Sequence, residues 1–152
     1  MSVIQYLTNI LCGTFMFLVM AAYMSVASGV APLGTLMFFA PILMFGFVSG
    51  LSMFFPRIAA ILSFFLALPS LYVGIIGMVY PSPGTEAIVF IVPASVVTFV
   101  SVGSLFWTKT SIWSRVQRPW VRVLVLIAAI APAAYTVLFL ANFFRSVTFN
   151  WN

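Results

Sequence analysis

The sequence predicts an all-α polytopic membrane protein. It reads as a bundle of five transmembrane helices, several kinked at proline, with the N-terminus cytoplasmic and the C-terminus outside. Three observations predict this. Of 152 residues, 64% are hydrophobic and 5% are charged, whereas soluble domains carry about 25% charge. The apolar residues form five runs, each near the roughly 20 residues a helix needs to cross the hydrocarbon core. The positive charges are shared unevenly between the ends of those runs. So little charge could not keep a soluble monomer in solution. The length suits a single transmembrane domain, residues 1–152, with no separate water-soluble part.

The runs cover about residues 6–28, 33–55, 58–80, 87–107 and 121–144, and no Lys, Arg, Asp or Glu falls in the middle of any of them. Barrel strands would be about ten residues long and would alternate polar with apolar. The first run has no basic lead-in, so it reads as a span rather than a cleaved signal peptide, although Ser25-Val26-Ala27 has the small-residue pattern of a cleavage site. Ala31-Pro32 separates the first two runs, and Phe55-Pro56-Arg57 makes a very short turn between the second and third. Tyr80-Pro81-Ser82-Pro83-Gly84 cannot be helical, because each Pro removes a donor and restricts the residue before it. Thr85 then suits an N-cap, and Glu86 the first helical turn, where a carboxylate meets the positive end of the dipole. The second reading of Glu86 is a functional carboxylate at the bilayer edge.

Orientation follows from the stretch TKTSIWSRVQRPWVR, residues 108–122, which holds Lys109, Arg115, Arg118 and Arg122, four of the six positive charges. With five spans, these four and Arg57 share one side, and Arg145 stands alone on the other. Short loops rich in Lys and Arg stay cytoplasmic. A four-helix arrangement would split Arg57 from the basic loop. The membrane expected is a bacterial cytoplasmic (inner) membrane, with an organellar inner membrane as the alternative. Trp107, Trp113 and Trp120 flank the charges, and Trp prefers the headgroup layer. Residues 111–117 are expected to form two turns in the interface, with Ile112, Trp113 and Val116 down and Arg115 toward phosphates. Lys109, Arg115, Arg118, Arg122, Trp113 and Trp120 are therefore the candidate contact for anionic lipid or a partner. Each cation beside an anionic leaflet contributes about 1 kcal/mol. The plainer reading is a topology anchor.

Four spans hold an internal proline: Pro41, Pro69, Pro93 and Pro132. Each leaves the carbonyl four residues earlier without its helical donor, namely Met37, Phe65, Val89 and Ala128. Ser70, Ser95 and Thr136 are near enough along the chain to help. Such breaks serve either packing or a solute site. Small residues recur at helical spacing: Gly46 and Gly50 in the second run, Ala59, Ser63 and Ala67 in the third, and Ala21, Ser25 and Gly29 in the first. Small faces let helix backbones approach in lipid. The Pro56-Arg57 turn makes runs two and three an antiparallel pair whose small faces are expected to meet, or else to receive another chain. The 17 Phe residues include the pairs 15/17, 38/39, 54/55, 64/65 and 143/144. Neighbours on a helix point in different directions, so some of these rings must face lipid or protein outside the bundle.

The chain has no His, no Asp, one Glu and one Cys, Cys12. No metal site, His-held haem, internal disulfide or Ser-His-Asp set can be built from that inventory. A Ser-Lys pair would need Lys109, at the interface, and no Gly-rich phosphate loop is present. Proton relays use ionisable groups inside spans, and none is central here. The net charge of +5 sits beside lipid-length runs, so it is not a nucleic-acid footprint. No enzymatic activity and no cofactor are expected. Tyr72-Val73-Gly74 resembles a tripeptide in the third helix of the five-helix small subunit of respiratory complex I. The likeness spans three residues, and Pro81 and Pro83 depart from that family's long helix, so no family is inferred from it. Two functional classes remain. One is a non-catalytic subunit with a structural, assembly or docking role in a larger membrane complex, with lipids and other membrane subunits as partners. The other is a small oligomeric channel or transporter for an uncharged or anionic solute. A polar stripe of Ser49, Ser52, Ser63, Ser70, Ser95, Thr98 and Ser101 turned inward would favour the second.

Overall fold

The computed structural model describes residues 2–26, 32–79, 85–108 and 110–149, without the side chains of residues 20–26, 32–41, 77, 79, 85–86, 143–144 and 146–149. The described chain is helical apart from short connections. In order, the helices are α1 (Ser2–Val26), α2 (Pro32–Phe54), α3 (Pro56–Val79), α4 (Thr85–Trp107), the single turn α5 (Ile112–Arg115) and α6 (Pro119–Phe149). Helices dominate because a lipid-facing backbone has no water to bond, so every N–H and C=O must be satisfied within its own segment. Pro32, Pro56 and Pro119 each open a helix, where the missing N–H costs nothing and φ is already helical. Pro69, Pro93 and Pro132 lie inside α3, α4 and α6, which continue through them. Thr85 opens α4, but its side chain and that of Glu86 lie outside the described residues, as do residues 80–84.

Among the described residues, four helices are long and apolar enough to cross a membrane, over Ser2–Val19, Pro56–Ile76, Ala87–Trp107 and Pro119–Asn142. In α2 the described side chains make a shorter apolar stretch, Ile42–Phe54. Polarity is distributed inside out relative to a soluble protein. Gln5, Asn9, Ser49, Ser52, Ser63, Ser101 and Ser104 are all at most 1% exposed, while Phe99, Phe106 and Trp107 are more than 70% exposed. A surface of that kind suits hydrocarbon rather than water. The all-helical, multi-pass membrane character expected from composition is therefore matched by the fold.

α1 to α4 form the body of the bundle, and α6 packs on its flank against α2. Only one residue, Phe55, separates α2 from α3. Its N–H donates to Leu51 O (2.8 Å) and its carbonyl accepts from Ala59 N (3.0 Å), so the corner leaves neither group orphaned. The apolar centre is Met16, Ile42, Phe45, Ala67, Ala94 and Val97, with Cys12, Phe17, Leu66 and Leu71 packed around it. Lipid tails are as apolar as this core, so its stability comes from close van der Waals packing and hydrogen bonds between helices. Small residues permit that closeness. A Cβ added at Gly13 would lie 2.9 Å from Phe45 Cβ, across the α1–α2 contact. The Phe pairs divide as their spacing requires: Phe15, Phe55 and Phe65 are exposed, while Phe17, Phe54 and Phe64 are half-buried.

Candidate functional site

The start of α1, the α2–α3 corner, the end of α4 and α5 gather at one end of the bundle. Arg57, Arg115, Arg118 and Arg122 share this end, while Arg145 lies far along α6. Lys109 lies outside the described residues. The basic stretch forms one helical turn rather than two. Ser111 caps it, accepting from Ser114 N at 3.2 Å, and Ser114 Oγ donates to Ser111 O at 2.9 Å. Val116 ends it by adopting extended backbone (φ −85°, ψ 113°) while its N–H reaches Ile112 O, and a β-branched residue fits that geometry. Ile112, Trp113 and Val116 are half-buried, Trp113 against the bundle itself, and Arg115 is exposed.

Two of the cations are tied into the local structure. Arg115 Nε donates to Thr110 Oγ1 at 2.6 Å. Arg122 Nε donates to Val116 O at 2.9 Å, and its guanidinium lies 5.6 Å from the centre of the Trp113 ring. Trp113 in turn rests 5.3 Å from Phe54 at the end of α2. An exposed cation–π pair contributes about 0.5–1 kcal/mol, so this stack docks the basic turn on the bundle as well as presenting charge. The carbonyl of Arg118 accepts from Val121 N and Arg122 N, both at 3.2 Å, at the start of α6. The Arg118 and Trp120 side chains are exposed.

The small-residue stripes serve different neighbours from those their spacing suggested. Gly46 and Gly50 face α6, not α3. A Cβ at Gly46 would strike Thr136 Oγ1 and approach Pro132 O to 2.9 Å; one at Gly50 would strike Ala129 O. Ala59, Ser63 and Ala67 are fully buried. Ser63 faces α1, and Ala67 lies in the apolar centre with Met16. Both stripes are thus packed within this chain. The Ala21, Ser25 and Gly29 stripe lies outside the described side chains.

The proline breaks also find a partner that spacing along the chain did not suggest. Pro132 leaves the Ala128 carbonyl without its helical donor, and Tyr6 Oη donates to that oxygen at 2.7 Å from α1. Thr136, expected to help there, instead shares its hydroxyl proton between Pro132 O (2.9 Å) and Leu43 O (3.3 Å).

Above the corner lies a polar layer. Asn9 Nδ2 donates to Ser63 Oγ at 2.8 Å, and Gln5 Nε2 approaches the same oxygen at 3.5 Å. Ser49, Ser52 and Thr98 donate to carbonyls of their own helices, at 2.7, 2.6 and 2.8 Å. Among the described residues, five buried side-chain atoms have no partner: Gln5 Oε1, Asn9 Oδ1, Ser101 Oγ, Ser104 Oγ and Thr108 Oγ1. Of the polar stripe in the sequence, Ser49, Ser52, Ser63, Ser70 and Ser101 are buried, while Ser95 and Thr98 are half-buried. Gln5, Asn9, Ser104 and Thr108 were missed. Gln5 and Asn9 are four apart and so share one helix face, which is the signal that marks them. No protein-family model matches the chain, and no curated protein or solved structure is significantly similar to it.

Proposed function

We propose that this chain is a non-catalytic integral membrane subunit that stabilises or docks a larger membrane complex. In this reading it has five spans, with α2 as the fifth beside the four clear ones. Its basic end lies in the cytoplasm of a bacterial cell, at the inner membrane, and its C-terminus lies outside. Four arginines at one end of the bundle and one at the other support the orientation. The observation that carries the subunit reading is α6. This long helix touches the body along one side only, and Leu124, Ile127, Ile130, Tyr135 and Leu138 are each more than half exposed. A helix held by one face offers the rest to lipid or to neighbouring helices. The basic turn, with Arg115, Arg118, Arg122, Trp113 and Trp120, would rest on anionic headgroups or on a partner's acidic surface. The test is purification of the native protein in mild detergent, followed by its mass. Co-purifying membrane subunits support the reading. A lone 16.7 kDa species refutes it.

One observation favours the second reading, an oligomeric channel or transporter for an uncharged or anionic solute. The serines of α2, α3 and α4 turn inward beside Gln5 and Asn9, and polar atoms of Gln5, Asn9, Ser101 and Ser104 are left unpartnered. Such atoms are costly in a dry core and useful where water or solute visits. Solute flux into liposomes containing this chain alone would establish that reading, and tight vesicles would end it.

A further inference from the structure

We propose that the α2–α3 corner holds a specific phosphate-binding site, distinct from the exposed basic patch on α5 and α6. A cavity of about 410 Å³ opens there, walled by Phe54, Phe55, Arg57, Thr108, Thr110 and Ser111, with Ile58 and Ser114 beside them. What marks it is a group of donors that have no partner within the chain. Arg57 is exposed and makes no hydrogen bond or ion pair among the described residues. Thr108 is 5% exposed, and its Oγ1 has no partner. Thr110 Oγ1 accepts from Arg115, which leaves its own proton free and brings a second guanidinium to the rim.

Three of the carbonyls at this corner are already occupied, while the last carbonyls of α2, which ends at Phe54, are left without helical donors. Leu51 O accepts from Phe55 N, Phe55 O from Ala59 N, and Ser104 O from Thr108 N. The first turn of α3 forms one wall. Phe55 is its cap, so the N–H groups of Arg57 and Ile58 have no intrahelical acceptor and the positive end of the helix dipole lies here. The one carboxylate side chain in the sequence, Glu86, begins α4, while the cavity lies at the opposite end of that helix. Unpaired hydroxyl, guanidinium and backbone donors with no carboxylate beside them call for an anion with several acceptor oxygens. Phosphate fits that need, and guanidinium groups recognise it through charge-assisted hydrogen bonds. Phe54, Phe55 and Ile58 give the cavity an apolar side as well, which would suit the glycerol end of a phospholipid.

The site rests on the membrane reading only for the choice between a lipid headgroup and a free anion. The test is therefore run in a neutral detergent, without a bilayer. The purified chain is titrated with inorganic phosphate, with short-chain phosphatidylglycerol and with short-chain phosphatidylcholine, each followed by ³¹P NMR line width. Saturable binding of phosphatidylglycerol alone assigns the site to an anionic lipid. Saturation by inorganic phosphate as well, or instead, assigns it to the phosphate group itself. In either case Arg57→Gln should weaken binding about tenfold or more, and Thr108→Val about threefold, as expected for loss of a charged and a neutral hydrogen bond. Arg57 is exposed, and Thr108→Val replaces an unpartnered hydroxyl with a methyl, so both variants should keep the wild-type helical circular dichroism. Arg115→Gln with Arg118→Gln should change the midpoint less than Arg57→Gln does. The proposal is overturned if no probe saturates, if phosphatidylcholine binds as tightly as phosphatidylglycerol while phosphate does not bind, or if Arg57→Gln and Thr108→Val bind like wild type. None of those results touches the subunit reading.

Discussion

Replacing Gly50 by alanine tests the α2–α6 contact through the sign of the stability change. A Cβ there would fall on Ala129 O and lie 3.2 Å from Ala129 C and 3.5 Å from Ala129 Cα. The obstacle is backbone, which cannot rotate aside as a side chain can. Carbon atoms rest about 3.5–4.0 Å apart, so α6 must withdraw by roughly 1 Å at this level. Overpacking of that kind costs about 1–3 kcal/mol. The same withdrawal stretches the Tyr6 bond to Ala128 O, one residue away and now 2.7 Å long. Against this, Ala is a better helix former than Gly by up to about 1 kcal/mol. The expected net change is a loss of about 1–2 kcal/mol. If Gly50 faced lipid, only the propensity term would remain, and the variant would be more stable than wild type. Reversible unfolding in mixed micelles of mild detergent and dodecyl sulfate, followed by tryptophan fluorescence, measures the difference. A Gly50→Ala protein as stable as wild type, or more so, would refute the packing argument. Gly46→Ala should lose less, because its first obstacle is the Thr136 side chain.

Tyr6→Phe should cost about 1–3 kcal/mol by orphaning the Ala128 carbonyl; adding Pro132→Ala restores the helical donor, and a double-mutant cycle should show that cost largely gone. Ser63→Ala should destabilise by about 1–2 kcal/mol, since Asn9 loses its acceptor. Ser104→Ala should be neutral or stabilising, since its hydroxyl is buried without a partner; the same micelle unfolding assay reads both, and equal losses would contradict the assignment of partners. A reporter active only in the cytoplasm, fused to the C-terminus, should be silent, and activity there would sink the five-span orientation.

The break positions and much of the helix layout were legible along the chain. Pro32 and Pro56 mark breaks because a missing N–H is harmless only at a first turn, whereas Pro119 opens α6 two residues before the apolar run that hydropathy marked. The concentration of arginines before α6 could be counted without knowing any contact. The turn at α5 was half legible: a helical stretch there followed from spacing, but its length depended on Val116 turning extended. Gly46 and Gly50 were recognisable as a close-approach face, yet the approaching helix was α6 and not the neighbour in sequence. The free carbonyl at Ala128 followed from Pro132, whereas its donor, Tyr6, lies 122 residues away.

What the sequence alone determined was a helical, membrane-compatible chain, the approximate breaks between its helices, and the end that carries most of the charge. These follow from hydropathy, proline chemistry and charge, which act locally and add along the chain. What only the tertiary structure decided was which face of each helix turns inward. In a soluble helix the apolar stripe reveals the buried face. Here nearly every position is apolar, and lipid accepts the outer side as readily as the core accepts the inner, so periodicity carries little information. The decision falls to a few small and polar residues. Ser63 has a role only because Asn9, 54 residues earlier in the chain, is brought to within 2.8 Å of it, and Arg57 meets Thr108 in one cavity only because the α2–α3 corner folds against the end of α4.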